Sequence, residues 1–121
     1  MTLYKENLVI YEASDFFSRL RGLLFRPKLT ETEALHITPC RDIHSIGMQY
    51  DLDVVFLSVT GEVIKIKTLK PNRWCISASA NSVLEFKAGI AERHGFSVGA
   101  ITGKFKTTTI RQRHVYKKKI K

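Results

Sequence analysis

The sequence is poor in cysteine: Cys40 and Cys75 are its two thiols in 121 residues. That excludes a framework stapled by several disulfides. No export segment is expected either, because MTLYKENLVIYE carries charges where an apolar region would lie. Two reduced thiols are therefore expected, and Cys40 reads as a small apolar plug. Long apolar runs are also missing. The longest unbroken one is Val54-Val55-Phe56-Leu57, against the roughly 20 residues of a membrane-crossing helix. The expectation is a cytoplasmic chain without membrane insertion. Nucleotide-binding and hydrolase fingerprints are absent: no phosphate-binding loop, dinucleotide fingerprint, zinc-finger spacing or serine-nucleophile elbow occurs. No internal repeat occurs, and low complexity is confined to the lysine-rich end.

Acid is missing from one end. Residues 104–121 hold eight Lys or Arg and no Asp or Glu, which leaves 12 basic against 11 acidic residues before them. The formal charge of +9 thus belongs to the C-terminal stretch. Such a stretch offers nonspecific contacts to nucleic acid or another anionic surface, or serves as a solvated end. The length suits one domain, expected over 1–112 with a basic tail at 113–121. A composition of 44% apolar and 26% charged residues is that of an ordinary globular core.

Hydrophobic patterning then divides the chain. Residues 7–11 read as a first strand. Ser14 reads as a helix cap, and Phe16, Phe17, Leu20, Leu23 and Leu24 recur at helical spacing up to Pro27. Residues 33–38 alternate as a strand containing His36. A long loop follows from Pro39 to Asp53, with Gly47 supplying an unusual backbone angle. Val54–Val59 is apolar on both faces and reads as a central strand, and Thr60-Gly61 turns it into a return strand over 62–69. Residues 69–80 read as irregular. Val83–Phe86 is a further strand, with Leu84 and Phe86 on one face and Glu85 on the other. Residues 88–94 read as a short helix ended by Gly95, and 104–111 as an edge strand guarded by lysines. The order predicts an α+β domain dominated by antiparallel sheet, with one N-terminal helix and a short second helix.

Several steps in order resemble a known family. Arg21-Gly22-Leu23-Leu24 is followed by Gly47-Met48, and Asp53 leads the strand Val54-Val55-Phe56-Leu57. Gly61-Glu62-Val63 comes next, and Val83-Leu84-Glu85-Phe86-Lys87-Ala88-Gly89 after that. The set is similar to the domain-of-unknown-function 192 family over roughly 7–103. The resemblance implies a compact, barrel-like, mainly antiparallel sheet with short helices, and no established activity. Two departures stand out. Gly99-Ala100 replaces the family's usual Gly-Asp, and the export signal carried by many members is not expected here.

The Pro39–Asp53 loop concentrates chemistry. His36, Cys40 and His44 are spaced four apart, and thiolate and imidazole both ligate transition metals. Pro39 interrupts any helix that would align them, so no metal or other cofactor is expected. The alternative reading is a metal- or thiol-dependent enzyme using Cys40, His44 and Asp53, with Cys40 as nucleophile and His44 as base in the thiol case. Asp53, leading a buried strand, is expected to accept hydrogen bonds from loop backbone or to pair with Arg21, Arg41 or Arg73. Trp74 beside Arg73 suits ligand stacking or a partner surface. The reading preferred is a small non-catalytic binding or accessory module. Its pocket or interaction edge would draw on Arg21, Cys40, His44, Met48, Asp53, Arg73 and Trp74, with a protein or small ligand as partner.

Overall fold

Short runs rich in β-branched and aromatic residues build nearly all the regular structure. The structure, a computed structural model, describes residues 7–13, 28–102 and 107–111. Its elements are β1 (Leu8–Ala13), β2 (Glu33–Ile37), β3 (Asp42–His44), β4 (Leu52–Leu57), β5 (Val63–Leu69), β6 (Trp74–Ile76), β7 (Ser82–Lys87), α1 (Ile90–Arg93) and β8 (Thr107–Arg111). The expected helix near 14–25 lies outside the described residues, as does the basic tail at 113–121.

Six strands form one sheet in the order β5-β4-β7-β2-β1-β8, and β3 pairs with β6 in a separate ribbon. Every residue of β4 is buried, as expected of a strand covered on both faces. One face carries Tyr11, Leu35, Val54 and Phe56, packed with Ile43 and Cys75 of the ribbon. The other carries Ile10, Val55, Leu84 and Phe86, packed with Ile90 and Ala91 of α1 and with Phe96. The rings of Phe86 and Phe96 lie 5.2 Å apart. Truncating a buried Phe such as Phe56 to Ala costs about 3–5 kcal/mol through lost burial and the cavity left behind.

The central hairpin forms as expected, with slightly shifted ends. β4 and β5 pair antiparallel from Leu52↔Leu69, with an irregularity between Phe56 and Leu57. Gly61 turns the chain at φ 86°, an angle that side-chain-bearing residues resist.

The barrel-like expectation needs correction. The sheet is open among the described residues, not barrel-like. β1 runs parallel to both β2 and β8, so β8 extends the sheet on the side away from β5. Among the described residues no pairing joins the edge strands β5 and β8, so the sheet does not close on itself. The sheet is also mixed: antiparallel pairing joins β5, β4, β7 and β2, and parallel pairing adds β1 and β8. Glu85 lies on the face of β7 opposite Leu84 and Phe86, as expected, and is 3% exposed. Its face of β7 lies under apolar cover because the sheet is packed on both sides.

Candidate functional site

Strand alternation sets the outer face of the ribbon. β3 and β6 pair antiparallel with Asp42↔Ile76, Ile43↔Cys75 and His44↔Trp74 in register. Ile43 and Cys75 turn inward and are buried, whereas Trp74 is 61% and Ile76 58% exposed. Period-two geometry places Asp42, His44, Trp74 and Ile76 together on the solvent side. The expected long loop over 39–53 and irregular stretch over 69–80 each contain one strand of this ribbon. Three residues are too few for alternation to be read against their surroundings.

Ser45 braces the end of the ribbon. It is fully buried. Its Oγ donates to the carbonyl of Lys70 at 2.5 Å and accepts the amide of Arg73 at 2.9 Å. Its amide donates to the carbonyl of Arg73, and its carbonyl accepts the amides of Asn72 and Met48. Asn72 returns a bond, with Oδ1 accepting the Gly47 amide at 3.1 Å. Gly47 sits at φ 85° and Asn72 at φ 60°, a region open to glycine and tolerated by asparagine. Backbone groups that would otherwise be lost to solvent competition are thus paired.

The residues singled out by sequence disperse. His44 and Trp74 meet, their ring centroids 5.6 Å apart and tilted by 40°, and the His44 Nδ1 accepts the Ile46 amide at 3.3 Å. Ile46, overlooked in the sequence, is 55% exposed beside them. Arg73 is exposed, with its guanidinium donating to the Asn72 carbonyl. Met48 is buried in the core on the ribbon's side of the sheet. Cys40 packs against that core, and its thiol donates to the Asp42 carbonyl at 3.1 Å. Neither Cys40 nor Cys75 is in a disulfide. Arg21 lies outside the described residues. Among those described, no three of His, Cys, Asp and Glu gather around a shared point. His36 is engaged elsewhere, its Nδ1 2.9 Å from Glu12 Oε1.

Asp53 stands apart. It lies within β4, not at its mouth, and faces α1. Oδ1 accepts the Thr68 hydroxyl at 2.8 Å and Oδ2 the Ala91 amide at 3.1 Å. The expected bonds to loop backbone or arginine are replaced by these, because alternation along β4 turns Asp53 away from the ribbon. A groove of about 590 Å³ runs beside it, lined among others by Ile66, Thr68, Glu92, Phe96 and Val98.

Two tyrosines, buried Tyr11 and half-buried Tyr50, pack on the ribbon's side of the sheet. The Tyr11 hydroxyl donates to Glu33 Oε2 at 2.6 Å. Burial, this bond and the Glu33 charge together push its pKa up. Tyr50 is pushed up to about 12, first by burial and then by the Glu85 charge. Its hydroxyl is buried with no hydrogen-bond partner among the described residues, and Lys28 Nζ lies 4.9 Å from the ring centroid.

The pattern of the DUF192 family, described as an uncharacterized ACR, matches residues 4–102. The chain belongs to the DUF192 family. A UPF0127 protein from Thermococcus sibiricus is 28% identical over 93 residues, covering 72% of this chain and 60% of the relative. The chain thus spans about 60% of the length of that curated DUF192-like relative. Among solved structures, a protein of unknown function from Novosphingobium aromaticivorans superposes with a TM-score of 0.66 at 23% identity. The match covers 74% of this chain and 70% of the other. A proposed transcription regulator from Sinorhizobium meliloti also gives 0.66, at 22% identity over 74% and 76% of the two chains. At these identities the likeness shows the fold alone. No catalytic activity attaches to the DUF192 family through these relatives. Among the described residues no helix is long and apolar enough to cross a membrane.

Proposed function

We propose that this DUF192 protein is a non-catalytic binding module that engages its partner through the outer face of the β3–β6 ribbon. One observation carries the reading. Trp74, Ile76 and Ile46 present large apolar side chains that are more than half exposed, on a ribbon held by the buried Ser45 network. Exposed aromatic and aliphatic side chains on a preorganised surface lose little freedom on binding, which favours association. A thiol or metal enzyme built on Cys40, His44 and Asp53 finds less support. Asp53 faces the opposite side of the sheet from the ribbon and is engaged by Thr68 and Ala91.

Site-specific photocrosslinking tests the reading. A photoreactive residue at Ile76 should give a discrete crosslinked species that disappears when Trp74 is replaced by Ala. The same residue at Glu92, beside α1, should give none. Equal yields at the two positions would defeat it.

A further inference from the structure

We infer that the ribbon accepts a single-stranded nucleic acid, with a base stacked on Trp74 and phosphates held by the cations at its two ends. This rests on the ribbon reading above and narrows it to one class of partner.

Charge is the first ground. From Glu62 to Glu85 the chain carries Lys65, Lys67, Lys70 and Arg73 and no intervening acid. The fold distributes cations to both ends of the ribbon. Lys70 and Arg73 meet at the Trp74 end, where their carbonyl and amide share the Ser45 hydroxyl, and both are exposed. At the Ile76 end, Lys65 Nζ donates to the Ile76 carbonyl at 2.8 Å. Exposed Arg41 adjoins that end, its carbonyl accepting the Ser77 amide. Asp42 is the acid contributed by the ribbon strands themselves, and it sits opposite Ile76, away from Trp74.

The aromatic pair is the second ground. Trp74 remains 61% exposed although His44 lies against it. An exposed π-surface between cations is how proteins hold single strands, because every base offers a face to stack upon. A duplex buries those faces. Reading a duplex groove calls for an inserted helix or a long ribbon, whereas the described helix has four residues and each ribbon strand three. An acidic peptide would satisfy the cations but leave the indole without a planar partner, so it serves as the competing outcome.

The full chain has one Trp, so its fluorescence reports on the ribbon directly. It is to be titrated with an oligothymidylate, with polyphosphate as a base-free polyanion, and with polyglutamate. The expected result is quenching by the oligothymidylate at concentrations where the other two have little effect. By anisotropy of a labelled oligothymidylate, Trp74→Ala should weaken binding roughly tenfold and Trp74→Phe far less. The double change Lys70→Ala, Arg73→Ala should lower the salt slope by about 1.4, from about 0.7 per phosphate contact. All these residues are exposed, and circular dichroism checks that the variants fold. Unchanged affinity in Trp74→Ala would overturn the inference, since the oligomer would then sit on the basic stretch at 113–121. Equal affinity for polyphosphate would overturn it too. Quenching by polyglutamate alone would reject nucleic acid while leaving the ribbon reading standing. That reading itself fails only in the crosslinking test, when Ile76 gives no species beyond what Glu92 gives.

Discussion

Asp53 Oδ2 accepts the backbone amide of Ala91 at 3.1 Å, tying the central strand β4 to the start of α1. The helix opens from Gly89, which offers no side-chain cap, so an acceptor from elsewhere in the fold satisfies one of its otherwise unpaired amides. The second oxygen takes the Thr68 hydroxyl from β5. One carboxylate therefore joins the central hairpin to the helix.

Asp53→Ala should destabilise the fold by about 1–3 kcal/mol, the usual cost of leaving buried donors unsatisfied. Asp53→Asn should cost less, because an amide oxygen still accepts one of the two bonds. Urea unfolding midpoints at a constant m-value check both. An Ala variant as stable as the parent would mean that water replaces both contacts.

Replacing Ser45 by Ala strands the Arg73 amide and removes the link to Lys70, for a loss of about 1–3 kcal/mol. The local effect should be more telling than the global one. Amide exchange at Asn72 and Arg73 should quicken before that of the β4 amides. Uniform quickening across the sheet would place Ser45 in the general core rather than in a local brace.

Alkaline titration tests Tyr11 and Tyr50. Tyr50 loses its proton near 10 when unfolded but only at about 12 when folded. Between those values the folded state binds more protons, so stability is intact below about pH 10 and falls as pH rises toward 12. Thermal midpoints in that range should decline less steeply in Tyr50→Phe. Part of the decline should remain, because Tyr11 is shifted in the same direction. A parallel decline in the variant would assign the loss to other groups.

Thiol chemistry separates the two cysteines. Cys75 is buried in β6 while Cys40 is half-buried, so a small alkylating reagent should modify Cys40 first under native conditions. Cys75 should react only as the ribbon opens, at a rate that rises with denaturant. Mass mapping after brief exposure distinguishes the two, and equal modification would contradict the packing of β6.

How much of this was legible depended on the length of each pattern. β4 is a continuous apolar strand, and β5 closes a hairpin after Gly61, so both could be recognised locally. β3 and β6 are three residues each and left no period to detect. The pairing of His44 with Trp74 is a matter of register between distant segments, which no local pattern encodes. Asp53 was recognisable as a buried acceptor. Its partners were not, because Ala91 becomes a neighbour only when β4 and α1 pack together. The open sheet was hidden for a similar reason: an antiparallel hairpin can be read from its turn, but the parallel register of β1 with β8 involves strands far apart in the chain.

That last pairing has a consequence for how the protein is made. β1 emerges from the ribosome before the other described strands, yet one of its two neighbours is β8, with Leu8 aligned to Thr107. Until the later residues are synthesised, one row of β1 backbone donors and acceptors lacks its eventual strand. Pairings between residues so distant in sequence are slow to close, and an unpaired strand edge is a template for the wrong partner. The nascent chain is thus exposed to misassociation at β1, and that exposure ends only when β8 arrives.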